Sequence, residues 1–445
     1  MSNTVKHEQD PGLKVPSLSS PQMRRILASS FMGSAIEFYD FILYATAASL
    51  VFNKIFFAGL TPGVAIFASF ATLAVGYLAR PLGGIVFGHF GDKLGRKGVL
   101  VTSMAMMGGA STLIGLLPPT AQIGMIAPVA LIILRILQGL AVGGEWGGAM
   151  LMALEHAPKQ RRGFAASFAN MGGPAGAVLA TLAVSAVSLL PNDQFLSWGW
   201  RLPFLFSIAL VAIGLIVRLK VTESPLFLSL EQKAEERKIP IKEVLTRYPK
   251  SVIRGTLVGM SSYTVQGLMT VWAISFVVDE VGMDRTAVLN IKAVGAALTV
   301  VGIWVSARYS DKYGRRPVMM IGIVAGALMA LPIMFMLELG QLWLFAIALF
   351  IANGVIQAFV FGPFGAFTAE LFPTRIRYTG ASLVYQLSST VGAGFTPMIV
   401  AGLVLAAGGR LWLVGVVWAA VFVIAALAMR GMKEGKDVDL RAQDL

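Results

Sequence analysis

The sequence predicts an all-α membrane protein with twelve transmembrane helices in two halves of six, and with both termini in the cytoplasm. Of its 445 residues, 56% are hydrophobic and 13% are charged, whereas about 25% of the residues of a soluble domain are charged. Apolar runs long enough to cross ~30 Å of hydrocarbon recur along the whole chain. A charged stretch, GHFGDKLGRK at 88–97, also returns as ARYSDKYGRR at 307–316, which indicates two related halves.

The elements follow in order from the N terminus. Residues 1–24 are polar and lack the apolar run of a signal peptide, so they predict a disordered cytoplasmic tail. The N-terminal half, 25–221, holds candidate spans at 25–52, 63–88, 98–117, 126–154, 163–190 and 202–221. The C-terminal half, 251–430, holds candidate spans at 251–279, 286–307, 317–338, 342–369, 379–406 and 411–430. A charged cytoplasmic linker at 222–250 separates the halves, and 431–445 form a second cytoplasmic tail.

The distribution of basic residues predicts the orientation. Of the 36 Lys and Arg residues, 29 are cytoplasmic when both termini are inside, and three lie within spans. The four on the outer side are Lys54, Arg201, Arg285 and Arg410. Basic residues are retained on the cytoplasmic side of membrane proteins, so this topology accounts for the net charge of +13 without a nucleic-acid partner.

The composition argues against an enzyme. The chain has no Cys, and its three His lie outside the deep apolar runs, so neither a thiolate site nor a His-rich metal site is visible. No G-x-x-x-x-G-K-[ST] loop is present to bind ATP. We therefore expect no enzymatic activity, no cofactor and no metal.

Two cytoplasmic connections occur twice in the chain. Asp92 and Asp311 lie in the connections after the second and eighth spans, 219 residues apart. Glu155 and Glu370 begin the connections after the fourth and tenth spans, 215 residues apart. Two repeats of six spans are a transporter layout. Basic cytoplasmic loops alone would predict Lys and Arg, but not a repeated Asp-x-x-Gly-Arg-basic order.

These stretches resemble the major facilitator superfamily. GHFGDKLGRK looks like the signature of that superfamily between helices 2 and 3, and ARYSDKYGRR looks like its degenerate copy, with Ala307 in place of the first Gly. Further stretches are similar to the metabolite:proton symporter family, which includes shikimate, α-ketoglutarate, citrate and proline/betaine permeases. They are IEFYDF at 36–41, ARPLGG at 79–84, RILQGLAVGGEWGGA at 135–149, SWGWRLPF at 197–204, TESPLF at 222–227 and ELFPTRIRYTG at 370–380. GGEWGG is most similar to the shikimate-permease-like branch.

The resemblance, which extends from residue 25 to 430, implies a monomeric transporter of the bacterial inner membrane. Such a protein would carry a small organic acid and protons into the cell by alternating access, driven by the proton gradient. Three other functions stay open: symport of a zwitterionic osmolyte such as proline or betaine, uniport without protons, and metabolite sensing without transport. Osmolyte transporters that resemble this chain carry a long C-terminal extension, whereas 15 residues follow the last span here. No signalling domain is visible to support sensing.

By the same resemblance, the repeated motif predicts a conformational latch on the cytoplasmic side. Asp92 and Arg96 would contact the start of helix 11 near Thr379–Gly380, and Asp311 would contact helix 5 near Gly163. The predicted gate residues are Gly88, Asp92, Gly95, Arg96, Lys97, Asp311, Gly314, Arg315, Arg316, Glu155, Arg162, Glu370 and Arg377.

Five charged residues lie inside the spans of the N-terminal half, where charges are costly and usually face a cavity or a partner. Helical spacing predicts two ionic layers: Asp40 with Arg135, and, nearer the cytoplasm, Glu37 with Arg80 and Glu145. Arg does not release its proton at working pH, so proton traffic must use a carboxylate. Related proton-coupled facilitators have an acid in helix 1 and an Arg in helix 4 that resemble Asp40 and Arg135. A static network that only joins helices is the alternative, and Glu145 could instead be the surplus proton carrier.

Lys292 is the one charged residue inside the spans of the C-terminal half. Either its ammonium binds a substrate carboxylate, or its side chain extends outward to the membrane surface. Asn170, followed by Gly172, Gly173 and Pro174, predicts an interruption of helix 5 that would expose backbone groups to a ligand. The other candidates for substrate contact, each of which could instead join helices, are Gln138, Tyr44, Trp146, Tyr263, Gln266, Asn353, Gln357, Tyr385 and Gln386.

Overall fold

The computed structural model describes residues 20–94, 96–143, 146–155, 157–219 and 240–436. Every regular element in these ranges is helical. Within them, ten helical rods are long and apolar enough to cross a membrane, and Val101–Leu116 and Ile126–Val142 are shorter apolar helices. The all-helical fold is thereby confirmed. Most of the two predicted tails and of the predicted linker lies outside the described residues.

The helices are labelled in chain order. Up to residue 219 they are α1 (Pro21–Ala47), α2 (Pro62–Leu94), α3 (Arg96–Leu116), α4 (Ile126–Val142), α5 (Arg162–Ser188) and α6 (Leu202–Leu219). From residue 240 they are α7 (Pro249–Val265), α8 (Arg285–Tyr313), α9 (Arg315–Glu338), α10 (Leu342–Phe350), α11 (Thr374–Ser389) and α12 (Trp412–Arg430). Shorter helices are Thr120–Ile123, Trp146–Glu155, Lys159–Arg161, Asn192–Ser197, Gly199–Arg201 and Pro240–Arg247.

Four of the rods change from α-helical to π-helical geometry partway along. The π-helical segments follow α1 at Ala48–Phe52, α7 at Gln266–Trp272, α10 at Ile351–Gln357 and α11 at Thr390–Phe395. After these segments the α1 rod ends in the helix Asn53–Ile55, the α10 rod in Ala358–Glu370 and the α11 rod in Thr396–Ala406. The α7 rod ends in the helix Ala273–Ser275 and a second π-helical segment, Phe276–Glu280. π-helical segments inside α-helices are rare, and those that occur are often at functional sites. No pattern in the sequence predicted them.

The predicted interruption of the fifth span is wrong, because α5 is one continuous helix with Pro174 inside it. A Cβ on Gly172 would collide with the carbonyl oxygen of Phe31 in α1, and a Cβ on Gly176 would collide with that of Ala35. Small residues let helix backbones approach closely. This Gly-rich stretch is therefore a packing surface against α1.

Both copies of the charged repeat are mostly helical, whereas the sequence analysis predicted short turns. The first copy is helical up to Leu94, and Gly95 lies outside the described residues. In the second copy α8 runs to Tyr313, and α9 begins at Arg315. Gly314 alone turns the chain, with a φ of 103° that is strained for any residue with a Cβ.

α5 and α8 form a central contact between the helices before residue 219 and those after residue 240. α1 also packs on α5. α2 packs on the part of the α11 rod that follows Ser389, which is Thr390–Phe395 and Thr396–Ala406. Large apolar side chains such as Leu328 and Ile208 are exposed on the outside of the bundle. A bilayer would cover an apolar surface of this kind.

Candidate functional site

A small cavity lies between the helices before residue 219 and those after residue 240. Its volume is about 40 Å³, which is room for about one water molecule. Phe38 and Ile42 of α1 and Phe361 line one part of the wall, and Lys292 of α8 is the one charged residue among its lining residues.

Lys292 points into the protein. The residue is 2% exposed, and its Nζ donates a 2.7 Å hydrogen bond to Oγ1 of Thr46 in α1. Among the described residues no carboxylate lies within ion-pair distance of it. The predicted outward extension of this side chain is therefore wrong. A buried ammonium without a counter-ion is costly, so an anion bound beside Lys292 would stabilise its charged form.

Four uncharged polar residues of the cavity wall lie on π-helical segments. Gln266 and Thr270 belong to the segment after α7, and Asn353 and Gln357 belong to the segment after α10. The buried Oδ1 of Asn353 accepts no hydrogen bond from the described residues. Three of the predicted substrate residues, Gln266, Asn353 and Gln357, thus meet Lys292 at one cavity.

A second group of predicted substrate residues joins the two parts of the chain beside the cavity. The rings of Trp146 and Tyr385 stack with centroids 3.6 Å apart, and Tyr263 lies edge-on to Tyr385 at 5.7 Å. Trp146 Nε1 donates to Asn170 Oδ1 at 3.2 Å, and Asn170 Nδ2 donates to the Phe361 carbonyl at 2.8 Å. Asn170 therefore acts here as a connector between α5 and the helix Ala358–Glu370.

Gln386 and Tyr44, also predicted to contact substrate, bond within the bundle. Gln386 Nε2 donates to the Gly143 carbonyl at 3.1 Å, which links α11 to the end of α4. The hydroxyl of Tyr44 donates to Thr72 Oγ1 of α2 at 2.7 Å. Neither residue lines the 40 Å³ cavity.

The predicted ion pair between Asp40 and Arg135 is absent from the described contacts. Asp40 Oδ1 instead accepts a 2.5 Å hydrogen bond from Ser207 Oγ of α6. Both residues are fully buried, so the sequence correctly predicted their location in the core but not their pairing.

Arg135 is held by an amide and two aromatic rings. Its Nη1 donates to Gln138 Oε1 at 3.1 Å, and Gln138 in turn donates to Ser111 Oγ at 2.7 Å. The guanidinium carbon lies 3.9 Å from the ring centroid of Phe41 and 4.0 Å from that of Tyr44. Cation–π contacts of this kind attract a desolvated guanidinium without a carboxylate.

Phe41 separates Arg135 from the second intramembrane guanidinium. Arg80 lies over Phe41 at 3.6 Å and over Tyr77 at 4.4 Å, so one phenyl ring contacts two guanidinium groups. Glu37 is 2% exposed. Glu145 lies outside the described residues, and the predicted layer of Glu37, Arg80 and Glu145 stays a prediction.

Several hydrogen bonds close the end of the bundle near residue 55. Ser49 Oγ of the α1 rod donates to the Val271 carbonyl at 2.9 Å. Arg285, the first residue of α8, donates from Nη2 to the Ser188 carbonyl at 2.9 Å. Each bond joins a helix before residue 219 to one after residue 240.

The opposite end is closed by the second copy of the charged repeat. Asp311 accepts hydrogen bonds from the backbone N–H groups of Gly163 and Phe164 at the start of α5, both at 2.9 Å. Arg315 Nη1 donates to Asp311 at 2.7 Å. The predicted contact between Asp311 and α5 is therefore present. Contacts between the two parts of the chain are thus present at both ends of the bundle.

Arg315 also connects the repeat to two glutamates. It donates to Glu370 Oε1 from Nε at 3.2 Å and from Nη2 at 3.1 Å. The backbone N–H groups of Arg315 and Arg316 donate to the two oxygens of Glu434 at 2.9 and 3.0 Å. Glu434 was not among the predicted gate residues, since nothing in the sequence of the tail marks a partner for the start of α9.

The remaining predicted gate residues are only partly described. Arg377 is buried and donates from Nε to the Ala369 carbonyl at 3.1 Å, Arg162 is the first residue of α5, and Gly314 is the turn described above. The contacts predicted for the first copy of the repeat stay predictions. The side chains concerned lie outside the described part of the chain: Gly88, Asp92, Gly95, Arg96, Lys97 and Glu155.

Comparison with known proteins places the chain among membrane transporters. Residues 30–397 and 307–436 match the model of the Major Facilitator Superfamily. The shikimate transporter of Escherichia coli (strain K12) is 40% identical over 423 residues, which cover 94% of this chain and 96% of that protein. The inner membrane metabolite transport protein YhjE of the same organism is 41% identical over 408 residues, covering 90% and 91%. The crystal structure of a D-xylose-proton symporter, 18% identical, has a TM-score of 0.73 over 93% of this chain and 98% of that chain, which shows a shared fold.

Proposed function

Because the chain belongs to the Major Facilitator Superfamily, we propose that it carries a small organic acid into the cell together with protons by alternating access. The chain is a multi-pass inner-membrane transporter and not an enzyme. The proposal takes α1–α12 as twelve membrane spans in two halves, 25–221 and 251–430, which act as a monomer. The excess of Lys and Arg in the connections assigned to the cytoplasm supports inside termini.

The observation that carries the proposal is the buried amine of Lys292, which has no carboxylate partner among the described residues. It lies buried at a cavity between the proposed halves, and a hydroxyl, that of Thr46, is its hydrogen-bond partner. A carboxylate at this position would supply the missing charge and a charge-assisted hydrogen bond. The amides of Gln266 and Asn353 are placed to bind hydroxyl groups of the same molecule.

The size of the cavity supports alternating access. A volume of about 40 Å³ holds about one water molecule and excludes an organic acid of several carbon atoms. The substrate must therefore enter and leave in conformations in which one of the two closed ends has opened.

Proton coupling is assigned to Asp40 and Arg135. Burial favours the neutral form of a carboxyl group, and a guanidinium in contact favours the ionised form. Arg135 now rests on Phe41 and Tyr44 and bonds to Gln138. Movement of this guanidinium onto Asp40 during the transport cycle would therefore release a proton, and its withdrawal would allow one to bind.

The charge of the cavity favours an acid over a zwitterionic osmolyte such as proline or betaine. Its lining residues include one cation, Lys292, and no acid that would pair with the positive group of a zwitterion. The 40% identity to a protein named as a shikimate transporter supports the same choice.

The test is transport by the purified protein in proteoliposomes with a pH-sensitive dye outside. We expect one of shikimate, α-ketoglutarate or citrate to enter and to alkalinise the outside medium. Lys292→Met should lower this uptake about 30-fold or more, since it removes a buried charge partner. Lys250→Met, at an exposed lysine outside the cavity, is the matched control. Uptake of proline or betaine but of no acid would contradict the proposed substrate class, and acid uptake without alkalinisation would contradict proton coupling.

A further inference from the structure

A second and larger cavity opens at the end of the bundle near residue 55. Its volume is about 510 Å³, within the range of small-molecule sites. Lys54 in the last turn of the α1 rod and Gly59 just after it form one part of the wall. The rest comes from the next connections, with Gln122 between α3 and α4 and with Ser197 and Arg201 before α6. Its two charged lining residues, Lys54 and Arg201, are both cations.

Arg201 is held in a fixed position without a carboxylate. Its Nη1 donates to the Leu117 carbonyl at 2.8 Å and to the Gly115 carbonyl at 3.3 Å, at the end of α3. Its guanidinium carbon lies 4.4 Å from the ring centroid of the buried Trp200. No described carboxylate lies within ion-pair distance of Arg201. A guanidinium fixed in this way has donors that match the geometry of a carboxylate.

Lys54 belongs both to the cavity and to the contact that closes this end. Its Nζ forms a 2.7 Å ion pair with Asp279, near the end of the α7 rod, and its side chain is 41% exposed. The Asp279 side chain is 16% exposed, but water reaches the ammonium of Lys54 and screens this ion pair. An anion in the cavity would therefore compete effectively with Asp279 for the ammonium.

The helix Asn192–Ser197, whose last residue lines the cavity, also contacts α8. Arg285 Nη1 donates to Asn192 Oδ1 at 3.0 Å, and the guanidinium lies 3.8 Å from the ring centroid of Phe195. Lys292 follows seven residues later on α8. Both rods that close this end, α7 and α8, thus contact residues in or beside the cavity.

We propose that this cavity is an outer capture site for the carboxylate of the transported acid, and that binding there weakens the Lys54–Asp279 contact before this end opens. The proposal rests on the proposed function for the orientation of the chain and for an acidic substrate. The capture site shares no lining residue with the cavity of Lys292. The two sites can therefore be tested separately.

The absence of Cys from the sequence makes thiol labelling a direct test. Ala121→Cys places a single thiol on the exposed wall of the cavity. The probes are a sulfonate-bearing methanethiosulfonate and its trimethylammonium counterpart, each normalised to its reaction with a free thiol. We expect the anionic reagent to react about tenfold faster, because the two cations raise the local anion concentration. Lys54→Met and Arg201→Met should each reduce this preference, and Lys250→Met should not.

Protection by substrate separates this site from the central one. Shikimate should slow labelling at Ala121→Cys, and the protection should persist when Lys292→Met is added but disappear when Lys54→Met is added. A thiol at Gln341, exposed at the same end but outside the cavity, should show no protection. Protection that disappears with Lys292→Met would overturn the capture site.

The two proposals fail in different ways. Equal rates for the two reagents would overturn the capture site whatever the uptake assay returns. If the anionic reagent reacts clearly faster but the protein takes up no acid, the proposed function is contradicted. The cavity would then still be a site that binds anions.

A charge swap tests the role of Lys54 in capture. Lys54→Asp combined with Asp279→Lys keeps an ion pair between the two rods but places an acid in the cavity wall. We expect uptake at saturating acid to be retained and the KM to rise about tenfold. An unchanged KM would mean that Lys54 only holds the end closed and would overturn the proposal.

Discussion

Lys292 donates a 2.7 Å hydrogen bond to Thr46, and this bond joins α8 to α1 beside the central cavity. A hydroxyl thus occupies the place beside Lys292 where the proposed carboxylate would bind. Thr46 Oγ1 also donates to the carbonyl of Ile42 in its own helix at 2.8 Å, which orients the oxygen that accepts from Lys292. Substrate binding would exchange one partner of Lys292 for another.

Thr46→Val should make the empty transporter less stable and increase its stabilisation by substrate. The change removes a hydrogen bond to a charged group, worth about 1.5–3 kcal/mol, whereas a bound carboxylate would still satisfy Lys292. The measurement is the apparent melting temperature with and without shikimate. Thr112→Val is the control, because that hydroxyl bonds to Gly108 in its own helix. An equal loss of stability in the presence and absence of acid would argue against exchange at Lys292.

Asp40→Asn should abolish accumulation of the acid against its gradient and leave exchange of labelled for unlabelled acid. The amide cannot carry the proton, but it can still accept the hydrogen bond from Ser207 that holds Asp40 in place. Uphill uptake and counterflow in proteoliposomes are the two measurements. Asp193→Asn, at an exposed residue outside both cavities, should leave both activities unchanged. Full uphill uptake by Asp40→Asn would assign the proton to another carboxylate.

Gly163→Ala should slow transport by opening the contact between α5 and α8. A Cβ at this position would lie 2.6 Å from Arg315 Nη1 and 2.7 Å from Asp311 Oδ1, so the hydrogen bonds from α5 to Asp311 could not all remain. The uptake rate and the apparent melting temperature should both fall. Gly109→Ala is the matched control, since its Cβ would meet no atom within 4 Å. Wild-type uptake by Gly163→Ala would mean that the Asp311 contact does not limit the transport cycle.

Glu434→Ala should destabilise the start of α9. The carboxylate accepts from the first two backbone N–H groups of this helix, and removing a helix N-cap typically costs ~1 kcal/mol. Glu434→Gln keeps one acceptor oxygen, so its melting temperature should lie between those of wild type and Glu434→Ala. Glu243→Ala removes a half-buried carboxylate that lies 3.4 Å from the exposed Arg247 and should have a smaller effect. Equal melting temperatures for Glu434→Ala and Glu243→Ala would contradict the capping role.

The helical rods could be predicted from the sequence because a bilayer demands long apolar runs whose backbone groups bond within one helix. The predicted positions agree with the rods to within a few residues at most ends, with the main exception where α2 and α8 continue into the charged repeat as helix. The π-helical segments at Gln266–Trp272 and Ile351–Gln357 could not be predicted, since their residues carry no local signal that distinguishes π-helical from α-helical hydrogen bonds.

The sequence predicted which residues lie in the core of the candidate site better than it predicted which of them contact each other. The cost of burying charge identified Lys292, Asp40 and Arg135 as core residues, and all three are buried. Helical spacing placed Asp40 and Arg135 at depths that an Arg side chain and helix tilt could bridge, but depth alone does not show which aromatic rings lie between neighbouring helices. Phe41 and Tyr44 hold the guanidinium of Arg135 where the sequence predicted a carboxylate.

The sequence by itself determined the class of this protein, its all-helical rods and the repeated charged motif, because hydropathy and motif spacing are properties of the chain. The tertiary structure alone decided that Lys292 meets Thr46, that Asp311 meets Gly163 and that Lys54 meets Asp279. Each of these pairs is separated by more than a hundred residues, and the rotation and close approach of packed helices determine which side chains touch. Composition does not determine those contacts, which join the helices of the two parts of the chain.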